Sequence, residues 1–178
     1  MIFLFIFFTV SAEDKLSSAE KELAETAAKN YLNLFTKRDW KELSKVTHKS
    51  VFEQLKENSI GSLPKKTSEV TKENKEKVDN FLEILKVKSV EEAHSMKAEE
   101  VYLRMMDHSD KMPHVEFMKK LENKVHSIKV KKAEGVYIVR VDITSKLNDL
   151  VKRGISNIHF VKEGKKLLFI GLKKEIVH

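Results

Sequence analysis

The sequence predicts an α+β fold, with N-terminal helices packed on a C-terminal curved antiparallel sheet of about four strands. Three observations carry this. Apolar residues recur at helical spacing from Leu23 to about residue 121. From residue 125 onward the period changes from 3.6 to 2. Short Gly-containing turns, Ala133-Glu134-Gly135 and Glu163-Gly164, separate the last-third strands, and tight turns mean antiparallel pairing. Helices followed by strands, without alternation, are the pattern of an α+β domain.

The first twelve residues, MIFLFIFFTVSA, read as a signal peptide. Ile2 to Val10 is apolar except for Thr9, the chain turns polar at Glu13, and Val10 and Ala12 suit the −3 and −1 positions of a cleavage site. The run is too short to span a bilayer as a helix, which needs ~20 residues. Export is therefore expected, to a secreted or periplasmic destination. A chain with no cysteine and no N-x-Ser/Thr sequon leans towards a bacterial envelope or secreted protein. Residues 13–178 then form one α+β domain with a helical insert at 66–122.

Ser17-Ser18-Ala19-Glu20 is a capping box, and Leu23, Ala27, Tyr31 and Leu34/Phe35 place an amphipathic helix over 18–36. Asp39-Trp40-Lys41-Glu42 caps a second helix carrying Leu43 and Val46, and Ser50 caps a third carrying Phe52 and Leu55. Gly61 and Pro64 mark a loop, and the lysine-rich 58–75 stretch is the candidate flexible segment. A helix is expected over about 68–86 through Val70, Val78, Phe81, Leu82 and Leu85. One helical stretch from Ser89 through Met106 follows, broken at His108–Pro113, then a short helix with Val115, Met118 and Leu121. Strands are expected near 125–131, over 136–143 with Tyr137, Val139, Val141 and Ile143 on the dry side, over 155–162 and over 165–172.

The segment from Ala27 to Leu43, AAKNYLNLFTKRDWKEL, resembles the opening of the nuclear-transport-factor-2-like superfamily: a helix, a small loop, Asp39, a bulky residue, then a second helix. Phe160 to Ile170, FVKEGKKLLFI, resembles the closing hairpin of that family. The resemblance implies a curved sheet wrapping the N-terminal helices around a cone-shaped cavity. It covers the two ends of the chain and not the middle, and this fold hosts enzymes and binding domains alike.

Composition narrows the chemistry. Without cysteine, disulfides, zinc–thiolate sites and cysteine nucleophiles are excluded. No G-x-S-x-G, P-loop, dinucleotide fingerprint or H-E-x-x-H occurs. Asp142 is the obvious strand acid, but alternation sends it to the side opposite Tyr137, and Asp39 is a helix cap. His126 shares parity with Ile128 and Val130, which turns it towards the core; His159 has ambiguous parity. His94, Met96, Met105, Met106, His108, Met112, His114 and Met118 cluster in sequence, but in no known ligand spacing, so no metal and no cofactor is expected.

The expected function is that of an exported, non-enzymatic binding domain, taking a small apolar ligand or a protein partner in the cavity. Tyr31, Trp40, Tyr102, His126 and Tyr137 are its candidate lining. One alternative is a small isomerase- or hydrolase-like activity in that cavity, using His126. A third reading starts from charge. The net charge is +7; residues 1–118 carry 19 Lys/Arg and 21 Asp/Glu, while residues 119–178 carry 15 and 6. That basic last third suits an anionic envelope polymer or lipid, whereas nucleic acid is not expected, since aromatic residues are not interleaved for stacking. The sequence leaves the oligomeric state open; a dimer is compatible with it.

Overall fold

The computed structural model describes residues 15–112, 122–147 and 150–176. It has the α+β arrangement: helices in the N-terminal part, then an open four-stranded antiparallel sheet. The chain divides into two compact units, Met1–His48 with Glu116–His178, and Lys49–Val115. The sequence reading set its helical insert at 66–122; the second unit already begins at Lys49. The apolar stretch 1–12, expected to be a signal peptide, and the short helix expected around Val115–Leu121 lie outside the described residues.

In the first unit, α1 (Ser18–Lys37) starts at the capping box that its sequence announces. The Glu20 N–H donates to Ser17 Oγ at 3.2 Å, and the Ser17 N–H donates to the Glu20 carboxylate at 3.1 Å. Arg38, in the left-handed conformation (φ 57°), ends the helix. Asp39 then caps α2 (Trp40–Lys45) by accepting from the Glu42 N–H at 3.1 Å.

The sheet is a meander of β1 (Glu122–Ala133), β2 (Val136–Leu147), β3 (Leu150–Glu163) and β4 (Lys166–Ile176), paired in that order. Glu134 and Gly135 both take positive φ (51° and 77°) in the two-residue β1–β2 turn, the backbone that matches strand twist. All four strands run longer than the sequence suggests, because hydrogen-bonded pairing continues beyond the apolar residues that reveal a strand by pattern.

One side of the sheet is dry. Ala24, Ala28 and Tyr31 form the buried stripe of α1, and the two alanines let the helix lie close to the strands. Tyr137, Val139, Val141, Ile158, Phe160, Leu167 and Phe169 are buried in this unit. Tyr31 stacks on Phe169 with ring centroids 4.1 Å apart and meets Phe160 edge-on at 6.5 Å. The outer edge of β4 is covered by the chain after α2: the Phe169 N–H donates to the Val46 carbonyl and the His48 N–H to the Phe169 carbonyl, both at 2.8 Å. Thr47 thereby makes a parallel bridge with Phe169.

The second unit holds α3 (Lys49–Ile60), a 3₁₀ turn (Thr67–Glu69), α4 (Lys75–Leu85), α5 (Val90–Ser95) and α6 (Ala98–Asp110). Its core gathers Ile60, Leu63, Val78, Leu85, Val90 and Val101, among others. Three expectations change here. The helix expected from residue 68 starts at Lys75, and Val70 reaches the core from beyond the 3₁₀ turn instead. The lysine-rich stretch expected to be flexible is pinned at Thr67, whose N–H and hydroxyl both donate to Glu91 at 2.7 Å. The single helix expected from Ser89 to Met106 is two, because Met96 turns extended (ψ 147°) and Lys56 Nζ takes the carbonyls of His94 and Met96, both at 2.7 Å. Among the described residues, no helix is long and apolar enough to cross a membrane.

Candidate functional site

The four proposed lining residues of the first unit, Tyr31, Trp40, His126 and Tyr137, do not share one cavity. Tyr31 and Tyr137 enter the layer between α1 and the sheet, but rings fill that layer: Tyr137 and Phe160 are each 1% exposed. The Tyr137 hydroxyl donates to Glu20 Oε1 at 2.9 Å, with Lys132 Nζ 3.5 Å from the same oxygen. The Ser17 N–H, then the Tyr137 and Ser17 hydroxyls, pull the Glu20 carboxyl down to about 2, and burial raises the Tyr137 phenol. This cluster ties the start of α1 to β2. Trp40 is half-buried, edge-on to Phe35 at 5.7 Å, with the Arg38 guanidinium 5.3 Å from its centroid. Tyr102 belongs to the second unit, where it packs on Phe52 at 5.1 Å and burial raises its phenol to about 12.

His126 corrects an expectation. A bulge between Val125 and Ser127 interrupts the alternation that would have turned it inward. Ile128 and Val130 remain opposite Val141 and Val139, while His126 is exposed and its Nε2 lies 2.7 Å from Thr144 Oγ1. It therefore lines no interior. His94, weighed as a metal ligand, has its Nε2 3.0 Å from the Pro64 carbonyl, and Met96 is core. Among the described residues, no three His, Asp or Glu side chains converge as metal ligands.

The structure instead assembles charge on the side of the sheet away from Tyr137. Pleat alternation and register place Lys124, Lys129, Lys131, Arg140, Lys146, Arg153 and Lys173 on this open face. The same register puts Glu122, Asp142 and Glu163 beside them, the last opposite Lys166, and gives Glu175 the position opposite Ile155. One row crosses all four strands: Lys129 opposite Arg140, Arg140 opposite Asn157, Asn157 opposite Lys173. The next row runs Lys131, Ile138, His159 and Gly171. Burial, then the charges of Lys173 and Lys131, hold the His159 imidazole below its ordinary value, so the ring adds no cation at neutral pH. Asp142 is neutralised within the face: Arg153 grips it with two nitrogens at 2.9 and 2.6 Å, which lowers its carboxyl.

Like charges directly opposite across a strand pair cost stability. Lys129 facing Arg140 is one such pair, offset in part by the attraction between Arg140 and Asp142. Nothing in the separate strand patterns signals this row, since it needs the register of three pairings at once. A groove of about 260 Å³, lined by Glu122, Asn123, Lys124, Thr144, Lys146 and Val151, lies at the β2–β3 end of the sheet.

Fold and site together define a class: an α+β domain with a ring-filled helix–sheet layer and a cationic open sheet face. Comparison with family models, curated proteins and solved structures finds no match for this chain.

Proposed function

We propose that this protein is a binding domain, not an enzyme, that docks on an anionic surface or polymer through the open face of its sheet. The carrying observation is the row of Lys129, Arg140 and Lys173, with Lys131 beside it, on a face whose better-buried acid is already neutralised by Arg153. Polyanions bind such faces by releasing their counterions, so many weak contacts add up and the affinity falls steeply with salt. The apolar leader agrees with an exported domain meeting an envelope or extracellular partner. A small-ligand cavity has less support, because aromatic rings occupy the space such a ligand would need.

The test uses inorganic polyphosphate and anionic vesicles as separate probes, titrated with salt. The row reversal Lys129→Glu/Arg140→Glu/Lys173→Glu should abolish binding to at least one of them. A control reversal of exposed lysines in the second unit, Lys66→Glu/Lys72→Glu/Lys77→Glu, alters net charge equally and should retain most of it. Equal losses in the two variants, or binding that ignores salt, would reject the face.

A further inference from the structure

We infer that the anionic partner is a lipid bilayer, and that Leu150 and Val151, at the start of β3, enter its interface. This rests on the proposed anionic reading of the sheet face and assigns its partner class. Two large apolar side chains, Leu150 and Val151, stand 65% and 60% exposed at the start of β3. Large apolar groups gathered this openly mark an interaction site more often than a solvated loop.

Register then places cations level with Val151 and behind it. Lys146 is opposite Val151, Lys152 is opposite Ser145, and Arg153 is opposite Thr144, with Lys124 on the far side of Thr144. Within the sequence from Lys146 to Arg153, three cations stand against one acid, Asp149, and Arg153 is held by Asp142. A strand rises ~3.3 Å per residue, so Lys152 and Arg153 sit roughly 7–10 Å behind Leu150. Interfacial segments bury their apolar side ~5–10 Å into the headgroup–acyl boundary. The two lengths coincide: with Leu150 at the acyl boundary, Lys152 lies among the phosphates, and Lys146, level with Val151, reaches them along its own stem. Each such cation near an anionic leaflet adds to the attraction, and long side chains adjust their depth by snorkelling.

A soluble polyanion fits the same cations but gives the exposed leucine and valine nothing to bury against. The row of Lys129 and Arg140 lies further along the strands from the tip. The sheet therefore approaches obliquely, with the start of β3 leading and the open face turned to the membrane.

The cysteine-free chain makes the experiment direct. A Leu150→Cys variant of the full chain carries an environment-sensitive fluorophore, and vesicles of phosphatidylcholine with 30% phosphatidylglycerol are the probe. Expected is a blue shift with these vesicles, none with pure phosphatidylcholine and none with polyphosphate; a Lys66→Cys control stays unshifted. Unlabelled Leu150→Ser/Val151→Ser should lose about tenfold or more in vesicle affinity, given the apolar area withdrawn, while its polyphosphate binding is unchanged. Vesicle binding without a shift at residue 150, or with full affinity in the double serine variant, overturns tip insertion and leaves the cationic face standing. Binding to neither probe overturns both. Self-association of the lipid-free protein that the double serine variant abolishes assigns the tip to a second copy and also overturns the inference.

Discussion

Replacing Lys129 by Glu should make the protein more stable and a poorer binder at once. Lys129 and Arg140 are register partners on the open face, so their charged ends lie within reach of each other. Two unit charges ~6 Å apart in water interact by about 0.7 kcal/mol. Reversal removes one repulsion and adds one attraction, about 1.4 kcal/mol before screening, and physiological salt, with a Debye length of ~8 Å, leaves about half. Asp142, diagonal to Lys129, returns part of this gain, so about 0.5 kcal/mol remains. The unfolding transition that includes the sheet should rise by about 1–3 °C. Affinity for polyphosphate or anionic vesicles should fall, with the slope against log salt shallower by about 1–2. Thermal scanning and a salt-titrated binding assay on the same preparation read both. A variant that loses stability, or gains it without losing affinity, would refute the reasoning that this row trades folding energy for an anionic partner.

Three other outcomes follow from single features. Lys86 ends α4 in the left-handed region (φ 54°), so Lys86→Gly should stabilise by about 0.5 kcal/mol after loss of its exposed pair with Asp107, measured by urea denaturation; destabilisation would count against it. Glu20 titrates at about 2 in the folded chain against 4.5 ordinarily, so its contribution is complete above pH 4.5 and is lost as pH falls from there towards 2. Tyr137→Phe should flatten that acid loss in a profile of unfolding midpoint against pH, and a parallel profile would contradict the Glu20–Tyr137 link. His159 is held below 6.5, so the unfolded chain takes up its proton first and stability declines as pH drops below that value. His159→Gln should remove this decline, and an unchanged slope between pH 6.5 and 5 would show that another group causes it.

The fold class was legible because helical spacing and strand alternation each occupy long, separate stretches. The Ser17–Glu20 box, the Asp39 cap, the Glu134-Gly135 turn and the dry side of β2 follow from a few neighbouring residues, and the structure has them all. What was hidden depended on distant partners. Met96 leaves the helix where Lys56 can take its carbonyl, and no local pattern contains that lysine. The bulge at His126 is one residue of slack in the β1–β2 ladder, which alternation in β1 alone does not register. The proposed cavity failed as a common site for a related reason: Tyr31 and Tyr137 look like polar-tipped lining in sequence, but Phe160 and Phe169 close the space around Tyr31. The basic last third already pointed to an anionic partner, but the row of Lys129, Arg140 and Lys173 was not legible because its members are scattered over separate strands.

The bridge at Thr47 has a consequence for how copies of this chain can meet. With Val46 and His48 occupying the backbone groups of Phe169, β4 is closed to recruitment at its middle, while β1 has β2 as its one sheet neighbour among the described residues. Growth by strand addition needs two vacant sides on every molecule. Among the described residues β1 is the edge left for strand addition, and a molecule that pairs through one edge alone forms a closed two-fold dimer and does not propagate.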